Sequence, residues 1–390
     1  MITVIKNAQV MSPKFLGNKD VLLIDSTIAA IEDNIVIQSD AVAIEVIEAT
    51  GKILVPGFID SLVHVTGGGG EGGFTTRTPA LNLSDATTAG ITTLVAALGT
   101  DAVTRSLPDL LAKVKALNEE GLTAYCYTGS YHIPVTTLTG SVTQDIMLVS
   151  EMIGVGEVAI ADHRSSQPTV NELAKVAAEA RVGGMLSGKS GIVSIHCGDG
   201  PSQLNLLEQV VAQTDIPITQ FYPTHINRNQ SLLDAGVGFA KAGGFIDLTT
   251  STTAHALAHG EIKCAQALTY LIKQQVPLSN ITFSSDGHAS LPDFDQHGRL
   301  QQLLVGEEKS LFAEVRDAVL EQDLALADAL SVITCNPANV LGLNHKGRIE
   351  VGFDADVVLL SGPELEIDSV WAKGQKMVET GNTLIKGRFE

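Results

Sequence analysis

The chain has 390 residues, 44% of them hydrophobic and 18% charged, with 37 glycines, so it can bury a large core and belongs with ordinary globular proteins rather than disordered or fibrous ones. A formal net charge of −19 argues against nucleic-acid binding, which needs a basic face to neutralise phosphates, and no apolar run is long enough to predict a membrane span. The start, Met1-Ile-Thr-Val-Ile-Lys6, lacks the basic segment and apolar stretch of a secretory signal, and Cys126, Cys197, Cys264 and Cys335 are scattered without a CxxC pair; a cytoplasmic location and four buried small apolar cysteines are expected.

In chain order, the first fifty residues alternate apolar runs with turn residues. Ile2–Ile5, Asp20–Ile24 and Ala43–Ile47 read as short strands. The end of the chain has the same texture, with Asp356–Leu360, Val370–Lys373 and Lys376–Glu379 separated by glycines. Both ends are therefore expected to build one small β-sandwich domain, formed by residues 1–52 and 345–390.

Between them, over residues 53–344, short apolar runs alternate with longer helical stretches, the signature of βα units around a parallel sheet. The predicted strands are Phe58-Ile59 leading to His64, Ile91–Ala96, Thr123–Tyr127, Glu157–Ile160, Ile192–Ile195, Tyr222–Thr224, Phe245–Leu248 and Ile281–Ser284. Helices are expected over Leu107–Glu120, Val170–Arg181, Gln203–Gln213 and Ala265–Gln275. Eight such strands favour an α/β fold closed as a (β/α)₈ TIM-like barrel over an open sheet.

In such a barrel the reactive side chains stand where strands meet the following loops. His64, His196 and His225 each follow an apolar run, Asp286 follows Phe283-Ser284-Ser285, and Glu157 opens the fourth strand. Imidazole nitrogens and carboxylate oxygens from separate strands can converge on one Zn²⁺ at about 2 Å and leave a position for water, which ionises near neutrality when so bound. Asp286 is placed to take the proton from that water and return it to a leaving amine. His132, His163, His255, His259, His297 and His345 lack the strand-end position, and His288 stays unassigned.

Several stretches carry a resemblance. Pro56-Gly-Phe-Ile-Asp60, Val63-His64, Gly67-Gly-Gly-Gly-Glu71, Asp162-His-Arg-Ser165, Pro223-Thr-His-Ile-Asn-Arg-Asn229, Ser284-Ser-Asp-Gly287, Asn336-Pro-Ala-Asn-Val-Leu-Gly342 and Lys346–Asp356 are similar to the amidohydrolase superfamily, and more narrowly to the isoaspartyl dipeptidases, over essentially the whole chain. The resemblance implies zinc-dependent hydrolysis of the β-aspartyl bond of dipeptides by a homo-oligomer, octameric in that family, with one or two zinc ions per chain. It implies that Gly69 touches the substrate, that Glu71 pairs with its α-ammonium, and that Arg164 and Arg228 hold its carboxylates as planar guanidinium forks. Thr100, Tyr131 and Ser290 complete the implied pocket, Tyr131 polarising the scissile carbonyl.

Two positions depart from that pattern. Leu62 stands where the family has the first histidine of His-x-His, which removes one ligand from the more exposed metal position. Glu157 stands where the family has a carbamylated lysine, and supplies a bridging carboxylate without carbon dioxide. The intact set is Glu157, His196 and His225, with His64 and Asp286 available to a second ion. Two other readings stay open: another amidohydrolase, such as an N-acyl-amino-acid deacylase, and a non-catalytic scaffold whose only support is Leu62.

Overall fold

The computed structural model describes residues 2–294 and 300–390; Met1 and His297 lie outside the described residues. Six strands pair in parallel in the order in which they occur along the chain: Phe58–Val63, Ile91–Ala96, Thr123–Thr128, Met152–Ile160, Ile192–Cys197 and Phe221–Thr224. Ile246–Thr249 and Ile281–Ser284 form a further parallel pair. Side-chain bonds from Thr224 to Asp247 (2.7 Å) and from His225 to Thr249 (2.6 Å) tie the sixth strand to that pair. At the other edge Gly287 bridges Val63 in parallel, and the His64 amide donates to the Gly287 carbonyl at 2.8 Å. The sheet thus curls, and the segment after its last strand returns to the first.

The strands are rich in β-branched residues and almost wholly buried, as parallel strands covered by crossover helices must be. Alternation along each strand separates two cores. Phe58, Val63, Leu94, Ala96 and Cys126 face the helices, with Leu110, Val114 and Leu173 opposite them. Ile59, Leu62, Val95, Ala97, Tyr127, Ile192 and Tyr222 pack as a separate cluster on the other face. The helices begin at residues that satisfy free amide groups: Ser106 accepts from Asp109 before Leu107–Glu119, and Thr169 with Glu172 makes a capping box before Val170–Ser187.

Both chain ends enter one nine-stranded sheet. Ile53–Pro56 is the seam, pairing in parallel with Ile2–Met11 from the start of the chain and antiparallel with Val357–Ser361 from its end. Trp371, Leu54, Leu359 and Val10 lie in its core. The predicted strands largely coincide with those observed, although Thr27–Glu32 and Ile53–Pro56 were not predicted, and two further differences bear on the site. Glu157 does not open its strand but is the sixth residue of Met152–Ile160, beside a register irregularity against Ile192–Cys197. A hairpin of Ser290–Phe294 with Leu300–Val305 follows the last parallel strand and carried no sequence signal. All four cysteines are free and buried. Among the described residues no helix is long and apolar enough to cross a membrane.

One buried cation fastens the terminal sheet to the parallel sheet. The Lys346 ammonium bonds to Thr123, the first residue of a parallel strand, at 2.7 Å, and to the carboxylates of Asp354 and Asp356 just before Val357–Ser361. Burial alone would lower its pKa, but the two carboxylates raise it above the ordinary lysine value, so it is charged. Lys346→Met should leave the buried Asp356 without its cation and destabilise the fold by about 3–5 kcal/mol, read by denaturant unfolding. A stability equal to wild type would mean that the pair contributes nothing to joining the two sheets.

Candidate active site

Five histidine and carboxylate side chains meet toward the carboxyl ends of the parallel strands. Glu157, 1% exposed, is the centre. Its Oε2 lies 3.4 Å from His196 Nδ1 and 3.6 Å from His225 Nε2, and its Oε1 lies 3.5 Å from His64 Nε2. Glu157, His196 and His225 each offer a ligand atom within 4.8 Å of the others, the spacing of a metal-binding trio. Asp286 stands on the other side of His64, at 3.1 Å from its Nε2.

Each imidazole has its outer nitrogen engaged, which aims the inner one at the cluster. His196 Nε2 bonds to Asp162 at 2.9 Å, His225 Nδ1 to the Thr249 hydroxyl at 2.6 Å, and His64 Nδ1 to the Ala97 carbonyl at 3.2 Å. Such outer partners fix tautomer and ring orientation at metal sites. His225 and Asp286 are held at φ 64° and φ 53°, a left-handed conformation that non-glycine residues adopt at a cost. The turn carrying Asp286 is clamped on both sides: Ser285 donates its amide to Asp60 at 3.0 Å, and its hydroxyl accepts from Gly287 at 2.9 Å.

The electrostatics follow from this packing. Burial would raise the Glu157 pKa, yet hydrogen bonds from His196 and His225 hold its carboxyl well below the usual range. Asp286 is likewise lowered against its burial, by His64. Burial pushes His225 down to about 4, so near neutral pH its nitrogens carry no extra proton and one lone pair is free for a cation. His64 goes the other way, to about 9, because the bond to Asp286 and the charge of Glu157 outweigh burial. Two buried carboxylates facing one another require positive charge between them, and His64 or a metal ion can supply it.

Above the trio opens a cleft of about 290 Å³. Of the residues singled out from sequence, His64, Gly69, Glu71, Thr100, Tyr131, Arg164, His196, His225, Arg228, Asp286 and Ser290 all line it, and Glu157 lies directly beneath. The Tyr131 ring sits against His196, its hydroxyl 2.9 Å from Nδ1, and the Arg164 guanidinium lies 5.4 Å from the Tyr131 ring centre. Arg164 bonds through two nitrogens to Asp162 and reaches Glu71 at 3.1 Å, while Thr100 donates to the same Glu71 oxygen at 2.8 Å. The Arg228 Nε is buried with no hydrogen-bond partner among the described residues.

The glycine loop owes its shape to close approach. A Cβ on Gly69 would meet Thr76 O and Ser290 Cβ at 2.7 Å, and φ there is +69°. Arg105 fastens the loop through the carbonyls of Thr66, Gly68 and Thr78 at 2.9–3.0 Å. Leu62, 2% exposed, is packed in the inner apolar cluster and does not line the cleft. His288 is not a substitute ligand: its Nδ1 bonds to Pro79 O and its Nε2 faces Asp85 and Glu308. His163 is 89% exposed at its side chain, as a surface histidine should be.

Sequence reasoning gave no role to Asp162, Thr249, Arg105 or Glu261. Asp162 had a usable signal, an acid two residues before Arg164 in a strand-end motif. Thr249 is the last residue of its strand, whereas Arg105 and Glu261 carry no local signal.

A curled parallel sheet with histidines and carboxylates gathered at its strand ends defines a class of metal-site hydrolases, and residues 53–389 match the Amidohydrolase family model: the chain belongs to the amidohydrolase family and is a hydrolase of amide bonds. It is similar to a β-aspartyl dipeptidase from Fervidobacterium islandicum AW-1 solved with a β-Asp-Leu dipeptide, at 44% identity and a TM-score of 0.91, covering 98% of this chain and 97% of that one. A second structure of a β-aspartyl dipeptidase from that organism matches at 42% identity and a TM-score of 0.89, covering 98% of each chain. Among curated relatives, a dihydroorotase from Lactiplantibacillus plantarum is 24% identical over 417 residues, covering 96% of this chain and 93% of its own.

Asp162 tests this description. Asp162→Asn should remove the carboxylate that orients His196 and weaken metal affinity about 10–100-fold, measured by competition with a fluorescent chelator. Unchanged affinity would show that His196 is aimed by other contacts.

Proposed function

We propose that the protein is a metallo-dipeptidase that hydrolyses the bond between the β-carboxyl of an aspartyl residue and the next amino acid. The observation that carries this is the charge pattern of the cleft: with Asp286 paired to His64 and Glu261 apart from it, Glu71, Arg164 and Arg228 line the cleft that holds His196 and His225 of the metal-binding trio. A β-linked aspartyl dipeptide has one free ammonium and two carboxylates around its scissile amide, the complementary set. The β-Asp-Leu dipeptide held by the 44% identical neighbour supports the same reading. In this proposal the strands close as a (β/α)₈ barrel over residues 53–344, and residues 1–52 and 345–390 make a small β domain. The chain works in the cytoplasm as a homo-oligomer.

The trio suits zinc in number and kind of ligand: two nitrogens, one oxygen and an open side toward the cleft. A bound zinc would polarise the carbonyl and acidify the attacking water. Glu71 receives the α-ammonium beside the Gly69 backbone, with Thr100 holding its carboxylate in place. Arg164 and Arg228, helped by Ser290, receive the carboxylates. In the free protein Arg164 is paired with Glu71, so binding exchanges one internal pair for two with the substrate. Asp286, kept ionised by His64, accepts the proton of the attacking water and delivers it to the departing amine. Tyr131, whose pKa is raised by burial, stays protonated and donates to the carbonyl oxygen as charge develops there.

Two outcomes test the reading. β-Asp-Leu should be hydrolysed at least about a hundredfold faster than α-Asp-Leu, because the α isomer exchanges the carboxylate with the scissile carbonyl and leaves a buried charge unpaired. Equal rates, or turnover of N-acyl amino acids or dihydroorotate but of no β-linked dipeptide, would contradict the substrate assignment. Glu157→Ala should lose bound zinc and turnover by orders of magnitude, and bicarbonate should not stimulate reconstituted wild type. Stimulation would mean that a carbamylated lysine, not Glu157, completes the site.

A further inference from the structure

Among the described residues three carboxylates line the cleft: Glu71, Asp286 and Glu261. The first two are matched by cations of the protein, Arg164 at 3.1 Å and His64 at 3.1 Å. Glu261 is not. Among the described residues no lysine, arginine or histidine forms an ion pair with it, and Thr252 lines the cleft alongside it. Burial raises its pKa, which the charge of Arg228 only partly offsets, so a cation brought to it is favoured. Its position is fixed by the backbone: the Glu261 amide donates to Ala256 O at 3.0 Å, and the Ile262 amide donates to Asn227 O at 2.9 Å, beside Arg228. The neighbouring Lys263 is turned away to Asp317 at 3.1 Å.

The two arginines also stand in different company. Arg164 is bonded to Glu71, which in the proposed function receives the ammonium of the β-aspartyl residue. Arg228, with its unpartnered Nε, shares its side of the cleft with Thr252 and Glu261 and is left for the carboxylate of the leaving residue. A leaving residue held by Arg228 would find Thr252, Thr253, Ala256 and Glu261 among the cleft-lining residues open to its side chain.

We propose that Glu261 is a specificity-determining residue for the leaving amino acid, selecting β-aspartyl dipeptides whose second residue has a cationic side chain, lysine or arginine, over those whose second residue is acidic. This rests on the dipeptidase reading above. The basic side chain gains a carboxylate that the protein leaves without a cation, and an acidic side chain meets like charge in a half-enclosed cleft.

The test is kcat/KM for β-Asp-Lys, β-Asp-Leu and β-Asp-Glu with wild type, Glu261→Gln and Glu261→Lys. Wild type should prefer β-Asp-Lys to β-Asp-Glu by at least about tenfold, the scale of one discriminating contact. Glu261→Gln, similar in shape, should bring that ratio within about threefold of unity, and Glu261→Lys should invert it. A common factor of change on all three substrates, or a wild-type ratio near unity, overturns the assignment of Glu261 while leaving the dipeptidase standing. Absence of cleavage of every β-linked dipeptide by wild type overturns both.

Discussion

A buried carboxylate stays ionised only where cations or hydrogen-bond donors make up for the lost water, and Glu157 is buried at the meeting point of several strands. Much of the site can be understood as an answer to that constraint. Three imidazoles from three strand ends surround it, each aimed by its own outer partner: Asp162 for His196, Thr249 for His225 and the Ala97 carbonyl for His64. Asp162 in turn fixes Arg164, and Arg164 reaches Glu71, so the arrangement around one buried acid extends without a break to residues lining the cleft. These groups are therefore positioned by one hydrogen-bonded network rather than by separate devices.

The second acid, Asp286, shows how the backbone serves the same end. It sits at a positive φ in a turn held by Asp60 and Ser285, and the segment that carries it also bridges Val63. The contact that returns the last strand to the first thus sets the distance between Asp286 and His64. A change that loosened this seam would misplace Asp286 before it unfolded anything, since well-packed sites lose activity with displacements of about 1 Å.

The alternation of strand and helix was legible in the sequence because parallel strands covered on both faces leave continuous apolar runs; Ile91–Ala96 and Ile281–Ser284 could be read to the residue. The strand-end rule then picked out His64, His196, His225 and Asp286. What could not be read depends on contacts between distant segments. Glu157 was singled out, but not its place inside the strand beside a register irregularity against Ile192–Cys197. Glu261 becomes part of the cleft only because its loop is bonded back to Asn227. The roles of Gly69, Glu71 and the arginines came from resemblance, not from any local pattern, and the hairpin after Asp286 left no trace in periodicity.

Leu62 bears most directly on the chemistry. Leu62 is packed in the inner apolar cluster beside His64, and among the described residues one trio is spaced to hold an ion. The direct measurement is the number of divalent ions retained per chain by the wild-type protein after extended dialysis against a mild chelator, determined by elemental mass spectrometry. The account predicts about one, held by Glu157, His196 and His225. Retention of two would show that His64 and Asp286 complete a second site without a ligand at position 62, and retention of none would contradict the claim that the buried carboxylate and its imidazoles form a metal centre.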